Sequence, residues 1–125
     1  MSTKIDFQDW LELNQLYADY ASAVDSNHWE LWPEFFVEQC LYRLQPRENH
    51  ERGFPLATLS FSSKGMLKDR AYGIKETLFH DPYYQRHVVG SPVIRQVEAD
   101  GWRCEANYAV FRTKLSQVST VFNVG

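Results

Sequence analysis

The sequence predicts an α+β domain in which N-terminal helices pack against a curved antiparallel or mixed sheet. Apolar residues recur at helical spacing near the N-terminus, and β-branched and aromatic residues fill the last third of the chain. A turn signal, Ala99-Asp100-Gly101, divides that last third as a hairpin would. A length of 125 residues with 44% hydrophobic content is the size of one domain, so we expect residues 1–125 to form a single domain.

The first predicted element is an amphipathic helix over Phe7–Val24. Its large apolar residues recur at steps of three and four, which places them on one side of a helix. They are Trp10, Leu13, Tyr17, Tyr20 and Val24. Asp25-Ser26-Asn27 then favours a turn, and a second short helix is expected around Pro33, whose missing N–H is tolerated in a first turn.

The middle of the chain predicts two short strands and a further helix. The strands are Leu41–Leu44 and Leu56–Phe61, with a long loop over Gln45–Pro55 between them. Ser62 or Ser63 is a candidate cap for the helix, which Gly73 should weaken before a further turn at Ile74–Leu78.

The last third predicts antiparallel strands, because β-branched and aromatic residues dominate it. These strands are Tyr84–Val89, Val93–Glu98, Trp102–Thr113 and Val118–Val124.

Charge and cysteine content exclude several functional classes. The formal net charge of -3 argues against a nucleic-acid partner, since phosphate binding needs a concentrated basic surface. The N-terminus lacks the basic start and apolar core of a signal peptide, and no later stretch is apolar for long enough to span a bilayer. We therefore expect a cytoplasmic protein without a membrane partner. Cys40 and Cys104 belong to no CxxC pair and should be reduced.

Iron chemistry is not expected in this chain. A Rieske cluster needs two cysteines and two histidines in CxH and CxxH pairs, and a mononuclear iron site needs two histidines and a carboxylate around an open position. The histidines are instead scattered over separate predicted elements, at His28, His50, His80 and His87. We therefore expect neither a metal nor a cofactor in the chain.

Three runs of residues resemble the small (beta) subunit of aromatic ring-hydroxylating oxygenases. They are ENH at Glu48–His50, LKDR at Leu67–Arg70 and HDPYYQRHVVG at His80–Gly90. Within that family the runs are most similar to the small oxygenase subunit of salicylate 5-hydroxylase. The resemblance extends from about Leu16 to the last residue, and it is more specific for the family than for a substrate. Family members continue into further strands beyond the position of Gly125, so we expect the last strands of the domain to be missing here.

The resemblance implies a cone-shaped fold, shared with nuclear transport factor 2, scytalone dehydratase and ketosteroid isomerase. It also implies a non-catalytic subunit of an α3β3 hexamer that degrades aromatic compounds. The alpha (large) subunit would carry a 2Fe–2S Rieske cluster and a mononuclear Fe(II), and the beta subunits would contact alpha and each other. Since the ring is hydroxylated in alpha, the choice between a hydroxylated ring and a cis-diol stays open.

A stand-alone dehydratase or isomerase is the first alternative. In enzymes of this shape a carboxylate and a histidine inside the cone move protons, and Asp25, Tyr42 and His87 lie in segments that could point inward. The structural alternative is that Asp25 caps the next helix while Arg86 and His87 join a buried polar network. A further alternative is a module that binds a small aromatic ligand in the cone.

Two segments are candidate interfaces. Polar and charged residues of the predicted loop could pair with carboxylates of a partner chain, or could be solvated. They are Arg43, Arg47, Glu48, Asn49, His50 and Arg52. Tyr83 and Tyr84 form the second candidate, because exposed tyrosines often anchor interfaces.

Overall fold

The computed structural model describes residues 5–125, which divide into two compact units. One unit comprises residues 5–27 and His80–Gly125, and the other comprises His28–Phe79. In chain order the elements are α1 (Phe7–Asp25), a 3-10 helix (Trp32–Phe35), β1 (Tyr42–Leu44), α2 (Arg47–Glu51), β2 (Leu59–Phe61), α3 (Lys64–His80), β3 (Tyr83–Val89), β4 (Val93–Glu98), β5 (Gly101–Glu105), β6 (Tyr108–Lys114) and β7 (Thr120–Val124). The prediction of a single domain remains a prediction.

Helix α1 follows the predicted periodicity. It starts with a capping box, in which Asp6 accepts a hydrogen bond from the Asp9 backbone N–H at 2.8 Å and the Asp9 side chain accepts from the Asp6 N–H. Leu13 and Val24 are buried, as expected for the apolar side of this helix. The helix ends at Asp25, and Asn27 beyond it has a φ of 59°, a conformation that Asn tolerates better than most residues.

A three-stranded antiparallel sheet, in the order β3-β6-β7, is the main element of the first unit. Helix α1 packs on β3, the strand at one edge of this sheet. Strands β4 and β5 pair as a separate antiparallel hairpin, with the predicted turn between them. The single strand predicted over Trp102–Thr113 is wrong, because the chain leaves the β4–β5 hairpin after Glu105 and pairs with β3 only from Tyr108 onward.

The second unit contains a cluster of aromatic rings around the antiparallel pair β1–β2. Tyr42 lies opposite Phe61, and their rings stack with centroids 5.9 Å apart. The Trp32 ring meets Tyr42 edge-to-face at 5.4 Å, a geometry that aromatic quadrupoles favour. Trp29 also meets Trp32 edge-to-face, at 5.8 Å, and both indoles are buried. These contacts make the aromatic rings of this segment the core of the second unit.

Two predictions for the second unit need correction. The segment Gln45–Pro55 is not a continuous loop, because α2 forms within it after Pro46, whose fixed φ of -58° suits the entry to a helix. Gly73 does not interrupt α3, which is continuous from Lys64 to His80. Tertiary burial compensates for the low helix propensity of glycine there, since Leu67 is fully buried and Ala71 is buried one turn later.

Candidate functional site

Asp25 and His87 form the closest contact between predicted site residues. Nδ1 of the imidazole lies 2.6 Å from Oδ1 of the carboxylate. The backbone N–H of His87 also donates to the same carboxylate, at 2.9 Å to Oδ2 and 3.1 Å to Oδ1. The Asp25 side chain is 6% exposed and the His87 side chain is 22% exposed. The fold therefore brings together two residues that lie 62 positions apart in the sequence.

The pair joins the last residue of α1 to the free edge of the sheet. Because β3 is an edge strand, the N–H groups that face away from β6 have no ladder partner. The His87 N–H is one of them, and Asp25 supplies its acceptor. A charged acceptor makes a stronger hydrogen bond than a neutral one, so this contact fixes the helix end against the strand.

The structural alternative for Asp25 was therefore only partly right. Asp25 does not cap the next helix, because the 3-10 helix begins after Leu31 without a side-chain cap and the Asp25 carboxylate is held by His87. Arg86 is exposed and takes no part in the pair, since alternation along β3 turns it to the opposite face. The expected buried polar network is instead a single pair, in which the Asp25 side chain is almost fully buried and the His87 side chain is partly exposed.

Tyr42 lies in the second unit, within the aromatic cluster around β1 and β2. Its ring contacts Trp32, Phe36 and Phe61. The geometry within its own unit is that of a packed core residue.

The predicted loop residues form a braced and exposed surface in the second unit. Arg43 donates to the Pro55 carbonyl at 2.6 Å, and Asn49 donates to the Leu56 carbonyl at 3.2 Å. Gln45 donates to the Phe54 carbonyl at 2.7 Å, so the segment after α2 is held from several points. The remaining predicted residues of this group are exposed, and with two apolar neighbours they make up what we call the α2 patch. The α2 patch consists of Arg47, Glu48, His50, Arg52, Phe54 and Leu56.

Tyr83 and Tyr84 point to opposite faces of β3. The Tyr84 side chain is 66% exposed, on the face that also carries exposed Val88. Tyr83 is half-buried, and its ring lies 3.9 Å from the guanidinium carbon of Arg112.

Arg112 is a polar residue of β6 that was not among the candidate site residues predicted from the sequence. Strand alternation in Val110-Phe111-Arg112 places Arg112 on the same face as buried Val110 and as His87, and this period could have identified it. Phe122 lies 3.6 Å from its guanidinium carbon. A cation stacked between two rings is a geometry that only tertiary structure creates.

Burial affects two titratable groups near each other in the first unit. Burial raises the pKa of the Cys104 thiol. Burial also raises the pKa of the Tyr17 phenol, with a smaller contribution from the neighbouring Cys104. Burial therefore favours the neutral form of both groups, which lowers the thiolate fraction of Cys104. Cys40 and Cys104 are free cysteines.

The described part of the chain shows neither a cluster of metal ligands nor a membrane-spanning helix. No group of three or more His, Cys, Asp or Glu side chains within residues 5–125 converges as metal binding would require. None of the helices in the same range is both long enough and apolar enough to cross a bilayer.

Comparison with known proteins identifies the family. Residues 6–125 match the model of the SnoaL-like domain. The chain is 30% identical over 123 residues to the small subunit of anthranilate 1,2-dioxygenase from Burkholderia cepacia, covering 96% of this chain and 74% of that protein. It is 30% identical over 115 residues to a beta subunit of the terminal oxygenase component of terephthalate 1,2-dioxygenase from Comamonas sp, covering 92% of this chain and 75% of that protein.

Solved structures agree with this result. A beta subunit assigned to the aromatic-ring-hydroxylating dioxygenases of Novosphingobium aromaticivorans superposes with a TM-score of 0.82 and 35% identity, over 90% of this chain and 71% of that one. The beta subunit of benzoate 1,2-dioxygenase from Burkholderia mallei gives a TM-score of 0.76 at 11% identity, over 96% of this chain and 76% of that one, and so supports the fold alone. The predicted α+β fold of the nuclear transport factor 2 type is confirmed. The chain belongs to the SnoaL-like domain family, and within it to the small (beta) subunits of aromatic ring-hydroxylating dioxygenases.

Proposed function

We propose that this chain is a structural, non-catalytic subunit of a Rieske non-haem iron aromatic ring hydroxylase, assembled with alpha subunits as an α3β3 hexamer. In this proposal the alpha subunit binds the Rieske cluster and Fe(II), and the beta chain holds neighbouring alpha subunits at the separation that electron transfer requires. The observation that carries the proposal is the α2 patch, whose backbone at Phe54–Leu56 is held by three side-chain hydrogen bonds while its own side chains are exposed to a partner.

The composition of the α2 patch supports a protein partner. Interfaces are enriched in arginine and aromatic residues, and this surface combines Arg47 and Arg52 with Phe54. Phe54 is 51% exposed and Leu56 is 72% exposed, so their burial against a partner would remove apolar area from water. Bracing of the backbone reduces the entropy lost on binding, because the segment is ordered beforehand.

The relatives support an arene carboxylate as the substrate of the assembled enzyme. Two relatives are named for anthranilate and terephthalate, which are both aromatic acids. Salicylate is an aromatic acid as well, and the runs at Glu48–His50 and His80–Gly90 support a salicylate 5-hydroxylase-like complex. The presence of free Cys40 and Cys104 supports assembly in the reducing cytoplasm.

Charge reversal in the α2 patch tests the proposal. The chain is co-expressed with the alpha subunit of the same organism, and the affinity of the complex is measured by biolayer interferometry. Arg47→Glu should weaken the complex on the order of tenfold, because it places a like charge opposite the carboxylates that Arg47 pairs with. Lys68→Glu, an equal charge change at an exposed position of α3, is the matched control and should leave affinity unchanged. Equal affinities for wild type and Arg47→Glu would contradict this role of the α2 patch.

A stand-alone lyase or isomerase is the second candidate, favoured by the 2.6 Å contact between Asp25 and His87. A histidine oriented by a carboxylate can act as a general acid or base. The additional hydrogen bond from the His87 backbone supports a structural role instead, since catalysis does not require it. Turnover of small cyclic ketones or hydroxylated aromatics by the purified chain, lost in His87→Ala, would establish the enzyme in place of the scaffold.

A further inference from the structure

The guanidinium of Arg112 lies between two aromatic rings. Its central carbon is 3.9 Å from the centroid of the Tyr83 ring and 3.6 Å from the centroid of the Phe122 ring. Tyr83 belongs to β3 and Phe122 to β7, and these strands flank β6 on opposite sides. The rings therefore approach the guanidinium from different sides, and its N–H groups are left to donate in its own plane.

The charge of Arg112 has no acidic partner among residues 5–125. Its Nε is buried and has no hydrogen-bond acceptor within the described part of the chain. Lys114, two residues from Arg112 on the same strand, does have an acidic partner, since its Nζ lies 2.7 Å from the Asp81 carboxylate. A buried donor of a permanently charged group is costly to leave unpaired, so this N–H is the unsatisfied element of the sheet face.

We propose that Arg112 is the recognition residue of a binding site for a small carboxylate ligand. A carboxylate is planar and presents two oxygens at the spacing of an Arg N–H fork, so it can pair with N–H groups in the plane of the guanidinium while the rings cover its faces. Tyr83 and Phe122 fix that plane and exclude water from the faces of the cation, which strengthens the ion pair. His87 lies on the same face of the sheet, and its orientation is fixed by Asp25.

Nuclear magnetic resonance of the arginine Nε–Hε groups tests the site directly in the wild-type chain. The Arg112 signal is assigned in the isotope-labelled wild-type chain through its scalar couplings to the Arg112 backbone, and the chain is titrated with benzoate and with benzamide, its uncharged analogue. Benzoate should shift the Arg112 signal to saturation, and benzamide should not. Absence of a saturable shift with benzoate, or an equal shift with benzamide, would overturn the proposal.

Isothermal titration calorimetry of variants measures the affinity for benzoate. Arg112→Lys keeps the positive charge between the rings but loses the planar fork. The dissociation constant for benzoate should therefore rise by about tenfold or more. Arg103→Lys changes an exposed arginine of β5 that pairs with Glu98, and it should bind benzoate as the wild type does. Equal affinities for Arg112→Lys and wild type would overturn the assignment to Arg112. Because the wild-type spectrum is read without any substitution, failure of a variant to fold would not decide the result.

Discussion

Removal of the Asp25 carboxylate should destabilise the first unit by about 2 to 4 kcal/mol. The Asp25 side chain is almost fully buried and accepts hydrogen bonds from both the backbone and the ring of His87. Hydrogen bonds to a charged group contribute about 1.5 to 3 kcal/mol, and a buried N–H left without an acceptor costs about 1 to 3 kcal/mol, with the two effects overlapping. Asp25→Ala should therefore lower the midpoint of thermal unfolding on the order of 8 to 16 °C.

Urea unfolding followed by circular dichroism measures this loss. Asp19→Ala is the matched control, because Asp19 is an exposed carboxylate on the same helix that accepts a hydrogen bond from the Gln15 side chain, and it should change stability by less than about 0.5 kcal/mol. His87→Ala should cost less than Asp25→Ala, since it removes the ring but leaves the backbone N–H that Asp25 accepts. An Asp25→Ala variant as stable as Asp19→Ala would refute the role assigned to the helix-to-edge contact.

Four further measurements test the packing, the backbone and the burial of Cys104. Leu67→Ala should lower the free energy of unfolding by about 3 to 5 kcal/mol in the same urea assay, because Leu67 is fully buried and a cavity would remain; a loss below about 1 kcal/mol would contradict that burial. Gly53→Ala should lower the free energy of unfolding by about 1 kcal/mol, and Gly101→Ala should lower it by less. Of these two glycines only Gly53 has a positive φ, of 69°, while an added Cβ would have open space at both positions. Equal losses for the two variants would contradict this backbone explanation. In a Cys40→Ser background, burial raises the pKa of Cys104, so its reaction with Ellman's reagent at pH 8 should be slower in the folded chain than in urea. The raised pKa of Cys104 also makes the free energy of unfolding depend on pH. The contribution of Cys104 to that free energy is complete below the unfolded pKa of about 8.5 and is lost as pH rises through the folded pKa. A contribution that grew with pH would contradict a raised pKa.

Elements with a long regular pattern were predictable from the sequence. Helix α1 differs from its prediction by one residue, because apolar residues repeat over several turns and Asp25 begins a turn signal. Strand β4 has the predicted bounds, Val93–Glu98, since the hairpin turn fixes its end. Short elements were less predictable. Helix α2 spans a single turn, and it depends on contacts such as the one from Asn49 to the Leu56 carbonyl, which local propensity does not encode.

The candidate site was predictable in composition but not in geometry. Resemblance to a fold family selected Asp25 and His87, and the structure brings them together. The hydrogen bond from the His87 backbone follows from the position of β3 at a sheet edge, and strand order cannot be read from alternation alone. Arg112 was missed for the same reason, because its stacking depends on which strands flank β6.

Native mass spectrometry of the chain co-expressed with its alpha subunit tests the scaffold account most directly. The account predicts a complex with equal numbers of alpha and beta subunits, in which all iron is bound by alpha and aromatic acids are hydroxylated only after assembly. An alpha subunit that forms an intact, active hexamer without this chain, or steady turnover by this chain alone, would contradict it.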